Sequence, residues 1–369
     1  MKTAYMVVAA ATALMATVAG VGTSANSSPK PSTLEFLGEV IIPTGTIYEG
    51  TVVGGLSSIT YDAARDVFYA ISDDQSQINP ARFYTLRLDI ADGALSPGDV
   101  TFTGVTTLLA PDGLPYPSFS LDPEGLTLTK AGELIVTSEG FAGRTIAPWV
   151  RRYTLGGTYI DDLPVPDAFN PTGPTRGVRG NLGFEAAAVA NNGRHLFVGT
   201  EGALVQDGPA ADVGNGTAAR ILRYHLQTQV VDAQYVYEAD AVAEAPVPST
   251  AFRVSGLVEL LPFNNQFMLA MERSFSVGAP GTGNTIKLYT AAFPKADDVN
   301  GIDSLAGLDV RPVEKRLLLD LKTLGIPLDN IEGMVIGPRL PDGRRSLILV
   351  SDNNFSAAAF TQFLLFAID

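Results

Sequence analysis

The chain has 369 residues, 46% of them hydrophobic and 17% charged, which is apolar material enough for one large core or two ordinary ones and excludes a disordered chain. Its formal net charge of -14 excludes nucleic acid or an anionic membrane as the main partner, because both require a cationic surface. With no cysteine there is neither a disulfide nor a lipid attachment site of the bacterial lipoprotein kind.

Gly and Pro are abundant (37 and 24), and the apolar runs between them are short, which favours strands and turns over long helices. Residues 1–25 carry Lys2, the apolar run YMVVAAATALMATVAGVG and the small residues Thr23, Ser24 and Ala25, the pattern of a secretory signal peptide. A retained anchor is the alternative, since the run approaches the ~20 residues that span a bilayer. Residues 26–34 read as a linker and 35–369 as one domain. A secreted or periplasmic product is expected, monomeric and without membrane contact once the signal is removed.

From residue 54 onward one pattern recurs. Its copies are GGLSSITYDAARDVFYAISDD (54–74), EGLTLTKAGELIVTSEG (124–140), EAAAVANNGRHLFVGTEG (185–202), SGLVELLPFNNQFMLAMERS (255–274) and EGMVIGPRLPDGRRSLILVSDN (332–353). Each is an apolar strand, a turn, a second apolar strand and an acidic residue, which predicts five β-hairpins. With Gly55, Gly125, Ala186, Gly256 and Gly333 taken as equivalent, the spacings are 70, 61, 70 and 77 residues, too long for bare hairpins. Two further strand-like runs follow each of the first four: 82–90 and 100–110, 149–157 and 158–166, 220–227 and 230–239, 285–293 and 314–321. Within the last of these, 315–324 also has the makings of a short helix. The fifth copy is followed only by 360–368, and the missing strand is supplied by STLEFLGEVII (32–42). Four strands per unit is the content of a propeller blade. An all-β fold is therefore predicted: a single propeller of five four-stranded blades whose ring is closed by the N-terminal strand, with six blades as the alternative.

In such a ring the start of each hairpin and its end meet at one mouth of the channel. That gathers Gly54, Glu124, Glu185, Ser255 and Glu332, and beside them Asp73, Glu139, Glu201, Glu272 and Asp352. Two readings compete. Acidic side chains at strand ends can tie blades together by accepting turn N–H groups. Alternatively, several carboxylates around one channel stay ionised only with a cation, and Ca²⁺ suits many oxygen ligands and loose geometry. Glycine after Glu124 and Glu332 would let those side chains be aimed into the channel. Arg144, Arg176, Arg179 and Arg273 lie near the acidic positions and either pair with them or clamp an anionic group. Carboxylates, metal and arginine together suit hydrolysis of a phosphate ester. His195 and His225 fall within strands, and the absence of GxSxG argues against a serine hydrolase of the α/β type. ADDVNGIDS (296–304) has part of a calcium-loop pattern around Gly301 but reads better as a polar insertion.

PEGLTL, NLGFEAAAVA with its upstream arginines, MERSF, and NIEGMVI followed by LILVSDNNF resemble the phytase-like family, described by "esterase-like activity of phytase". The resemblance covers roughly residues 35–369 and implies an exported, Glu- and Asp-rich β-propeller with phosphomonoester or phosphodiester hydrolysis, linked in name to phytases that use calcium. Carried onto this sequence, its acidic positions are Glu124, Glu185 and Glu332, then Asp73, Glu139, Glu201, Glu272 and Asp352. Gly54 and Ser255 depart from the pattern, which favours asymmetric sites over a five-fold metal ring. The expectation is a hydrolase in which Glu124, Glu185, Glu332, Arg179 and Arg273 act on a small anionic phosphate ester while Asp73, Glu139, Glu201, Glu272 and Asp352 hold Ca²⁺. A non-enzymatic propeller binding a ligand or protein through the same rim is the alternative.

Overall fold

A computed structural model describes residue 1, residues 30–264 and residues 266–369. The expected signal segment lies almost wholly outside the described residues. The chain opens with β1 (Leu34–Ile42) and a small ribbon of β2 (Ile47–Tyr48) and β3 (Thr51–Val52). Four blades follow in order. The first comprises β4 (Leu56–Asp62), β5 (Val67–Ser72), β6 (Arg82–Leu88) and β7 (Val100–Thr107), and the second β8 (Pro123–Leu128), β9 (Leu134–Ser138), β10 (Trp149–Tyr153) and β11 (Tyr159–Leu163). The third comprises β12 (Phe184–Val189), β13 (His195–Thr200), β14 (Thr217–His225) and β15 (Val230–Ala239). The fourth comprises β16 (Arg253–Pro262), β17 (Phe267–Ser276), β18 (Asn284–Ala292) and β19 (Glu314–Asp320). The fifth holds β20 (Asn330–Arg339), β21 (Arg345–Asp352) and β22 (Thr361–Ile368), with β1 antiparallel to β22 as its outermost strand.

The first strands of the blades pack side by side around the axis, β4 on β8, β8 on β12, β12 on β16, β16 on β20 and β20 on β4. That is a five-bladed propeller. No helix among the described residues is long and apolar enough to cross a membrane. The stretch 315–324 is mostly strand β19, and only Leu321–Leu324 coils into one 3-10 turn.

The core lies between blades, and strand alternation explains how it is shared. In β5, Phe68 and Ala70 join the cluster between the fifth and first blades, whereas Tyr69 and Ile71 join the one between the first and second. A strand sandwiched in this way is apolar on both faces, and every residue of β22 (TQFLLFAI) is buried. The outer strand β1 is only partly covered.

Candidate functional site

Four of the five inner hairpins bring an acidic residue to the same mouth of the channel, and the strand registers show how. In β12, Phe184 pairs with Thr200 and Ala186 with Gly199, so Glu185 is bulged out of the ladder. Glu332 is bulged in the same way between Ile331 and Gly333, and Glu124 falls within the irregularity between Pro123 and Leu126. A bulge bends the strand and re-aims the extra side chain, here into the channel.

The same registers correct two sequence alignments. In the first blade the bulged residue is Ser57, between Leu56 and Ser58, and in the fourth it is Val258, between Leu257 and Glu259. Gly54 and Ser255 are therefore not the counterparts of the glutamates. On the second strands, Ser351 pairs just before the bulge and Asp352 follows it; Leu257 pairs with Glu272, so the fourth-blade counterpart of Asp352 is Arg273. Glu272 falls one residue short, and one residue along a strand turns a side chain to the other face. It is buried between the third and fourth blades, where it accepts from Tyr237 Oη and the Asp240 N–H of the third blade, each at 2.8 Å, and meets Lys315 Nζ of the fourth at 2.5 Å. Glu272 thus has its own cation and does not line the cavity.

The ring of second-strand positions consists of Asp73, Glu139, Glu201, Arg273 and Asp352. With Glu124, Glu185 and Glu332 it bounds a cavity of about 660 Å³. Asp122 and Asp329, which are not among the predicted site residues, complete a set of nine carboxylates facing one arginine. Asp122 precedes Glu124 by two residues in DPEG and Asp329 precedes Glu332 by three in DNIEG, and an aspartate just ahead of a Glu-Gly pair was the signal available. Gln75, Asn181, Asn330 and Asn354 also reach the cavity.

Arg273 sits between two carboxylates, its Nη2 2.9 Å from Glu332 Oε1 and 3.2 Å from Glu201 Oε1. Burial works against the guanidinium charge, but Glu201, Glu332 and Glu185 outweigh it and hold the pKa above its ordinary value. The Nε of Arg273 has no hydrogen-bond partner. Glu332 also accepts from Asn330 Nδ2 at 2.9 Å, and Asp352 from the Asn354 N–H at 2.6 Å and Asn330 Nδ2 at 3.2 Å. Asp73 Oδ1 accepts no hydrogen bond, and Glu201 Oε1 meets only the guanidinium of Arg273. Asp73 itself is placed by its neighbour: Asp74 accepts the N–H groups of Gln77, Ile78 and Asn79 and pairs at 2.7 Å with buried Arg82, which fixes the loop leaving β5.

Crowding of like charges out of water has the expected electrostatic result. Burial, with Asp122 and Glu201 adding to it, pushes the Glu139 carboxyl up to about 8, against the hydrogen bonds from Glu185 and Gly183. Burial and Glu332 take Asp352 to about 8, and burial takes Glu201 to about 7 despite Arg273. Asp73, Glu124 and Glu185 are raised well above the carboxylate range by burial first and by one another's neighbours second. The blade-tie reading holds for two of the predicted acids: Glu139 Oε1 accepts the Gly183 N–H of the third blade at 2.9 Å, and Glu272 Oε2 accepts the Asp240 N–H of the third blade at 2.8 Å. The tie between the fifth and first blades is made instead by Asn353 Oδ1, which accepts the Gly55 N–H.

Glu139, Glu185 and Glu201, all buried, each offer an oxygen within 4.8 Å of the other two, the one such triad of potential metal ligands among the described residues. Arg179 is outside the cavity: its guanidinium donates to the carbonyls of Ala203 (3.2 Å) and Gly208 (2.5 Å). Arg176 pairs with Asp303, and Arg144 lies over the rings of Phe119 and Phe141. His195 and His225 pack edge to face on the third blade, where His195 lies 3.6 Å from Asp232. Asp298 and Asn300 of the 296–304 stretch are satisfied by the backbone and side chain of Gln234, as a polar insertion would be.

The family model described as "Phytase-like: Esterase-like activity of phytase" matches residues 51–355, which takes in all five inner hairpins and every carboxylate of the cavity. The chain belongs to this family. Among curated proteins none matches the sequence. Similar solved structures include the endo-arabinase from Bacteroides thetaiotaomicron, at 11% identity and TM-score 0.42, covering 88% of this chain and 95% of that one. Another is the periplasmic gluconolactonase PpgL of Pseudomonas aeruginosa, at 12% identity and TM-score 0.35, covering 91% and 96%. At that distance neither bears on the chemistry of this phytase-like cavity.

Proposed function

We propose that this phytase-like propeller is an exported hydrolase of phosphate esters whose acidic cavity holds Ca²⁺. The observation that carries the proposal is the triad Glu139, Glu185 and Glu201, three buried carboxylates within reach of one ion and with a single arginine beside one of them. The donor set suits the ion. All donors are hard carboxylate oxygens, and Asp73 Oδ1 and Glu201 Oε1 lack the hydrogen bonds that buried oxygens normally have. Bound there, Ca²⁺ would polarise a phosphoryl oxygen and balance the charge of the triad.

The remaining roles fall to the chain. Arg273, oriented by Glu201 and Glu332, faces the anionic group of the substrate. Asp73 Oδ1 accepts no hydrogen bond and would take a proton from the attacking water once a bound cation favours its ionised form over the protonated one that burial favours. As the new P–O bond forms and the bond to the alcohol breaks, Glu124, whose protonated form burial and Asp122 favour, gives a proton to the leaving oxygen. Ester and water thus yield a phosphate with one fewer substituent and an alcohol.

Export is part of the proposal and rests on residues 1–25; calcium outside the cytoplasm is abundant enough for a weak site. Calorimetric titration of the purified protein with CaCl₂ tests the cavity directly. Heat of binding that disappears in Glu185→Gln is expected, and absence of binding in the wild type would refute the calcium assignment. Were calcium bound without turnover, the rim would instead be a ligand-binding surface.

A further inference from the structure

The cavity is lopsided, and its asymmetry bears on which phosphate ester it takes. The first three blades contribute Asp73, Asp122, Glu124, Glu139, Glu185 and Glu201. On the fourth, β16 and β17 run for ten residues each, against six and five for β8 and β9, and extend the wall past the acidic ring. Val254 and Phe275 are cross-strand partners there, two residues along from the Gly256 and Arg273 pair and on the same face. Phe252, 64% exposed, lies 6.2 Å from the Phe275 ring, and Ala358 and Ala359 line the cavity from the fifth blade. An exposed phenylalanine beside a ring of carboxylates gains nothing from folding; covered by an apolar group of a ligand, it would.

Charge narrows the ligand further. Among the described residues lining the cavity there is no lysine or histidine, and the one arginine already faces two carboxylates. Such a site can balance one anionic charge with the help of a bound cation, but not the many charges of a polyphosphorylated molecule, which would meet the unpaired carboxylates at close range.

We propose, on the footing of the phosphate-ester reading, that the substrate is a monoanionic phosphodiester carrying an aryl or alkyl substituent. Its anion faces Arg273 and its substituent lies on Phe252, Val254 and Phe275. Inositol hexakisphosphate is not a substrate, despite the family's description.

Steady-state kinetics of the full protein with calcium in excess test this on bis(p-nitrophenyl) phosphate and inositol hexakisphosphate. The diester should be preferred in kcat/KM by about a hundredfold or more. Phe252→Ser, at an exposed position that folding does not need, should raise KM for the diester about fivefold while kcat stays within about twofold. Equal or faster release of phosphate from inositol hexakisphosphate, or an unchanged KM in Phe252→Ser, would overturn this inference and leave the hydrolase reading standing. Absence of turnover on both compounds and on p-nitrophenyl phosphate would overturn the hydrolase reading, and this inference with it.

Discussion

Single residues decide what the cavity is. Gly55 has φ of +64°, and a Cβ added there would lie 1.9 Å from Asp73 Oδ1. Gly55→Ala should therefore destabilise the fold by about 1–3 kcal/mol, measured by urea unfolding, and displace Asp73 so that activity falls with it. The pair Glu272 and Arg273 gives a sharper contrast. Glu272→Gln should leave calcium affinity unchanged but cost about 1–3 kcal/mol of stability, because Lys315 loses its buried partner. Arg273→Gln should lower kcat/KM by about a hundredfold or more without weakening calcium binding, as expected of a group that acts on the substrate. Loss of calcium binding in Glu272→Gln would overturn the assignment of the two faces of β17. Glu124, Glu139, Glu185, Glu201, Glu332, Asp73 and Asp352 were legible because each ends or starts an apolar run. Arg273 was legible as an anion-facing residue, but the ring position fell to Glu272, because the sequence MERS shows an acid at about the right distance and a one-residue difference in strand phase cannot be read from a hairpin whose bulge has moved to Val258.

Whole strands were easier to read than their registers. The runs at 82–90, 100–110, 230–239, 285–293 and 360–368 all became strands, because β-branched and aromatic residues bounded by Gly, Asp and Pro leave little choice. Bulges leave no such mark. Where the position after the bulge is glycine, as in Gly125 and Gly333, inner strands of adjacent blades approach closely: a Cβ on Gly125 would meet the Glu185 carbonyl at 2.5 Å. In the fourth blade that position is Glu259, which is buried in the channel and accepts from Ser58 Oγ at 2.8 Å and the Leu260 N–H at 2.9 Å. Its sequence setting, VELL, gave no hint of a channel residue. Burial pushes Glu259 up to about 8, against hydrogen bonds from Ser58 and backbone groups on neighbouring blades. The folded protein therefore keeps a proton that the unfolded chain releases near pH 4.5, so this residue's contribution to stability falls as pH rises from about 4.5 to about 8. Glu259→Gln mimics the protonated form. It should be nearly neutral at pH 4 and more stable than wild type at pH 9 by urea unfolding; a loss of stability at both pH values would show the carboxylate acting as a charged tie.

For the whole molecule the same sign applies many times over, and a cation reverses it. Glu139 and Asp352 at about 8 and Glu201 at about 7 hold protons in the fold that the unfolded chain releases. In chelator the melting temperature should therefore decline as pH rises from about 5 to 8. Added calcium should raise it, more at pH 8 than at pH 6, because binding displaces those protons. A calcium shift that is larger at pH 6, as judged by scanning calorimetry, would mean that the ion binds elsewhere. The ring architecture itself was legible from spacing alone, since five matched hairpins with one strand short at the end leave few alternatives to a propeller with β1 beside β22. The apolar wall on the fourth blade was not, because Phe252 precedes the repeated hairpin and reads in the sequence as an ordinary loop residue.

The most direct test is hydrolysis of bis(p-nitrophenyl) phosphate by the purified protein in calcium, after chelation, and after calcium is restored, with Glu185→Gln in parallel. Turnover that requires calcium, returns when it is restored and is lost in the variant is the predicted result. Turnover indifferent to chelation, or none in the wild type under any of these conditions, would contradict a calcium-loaded esterase site in this cavity.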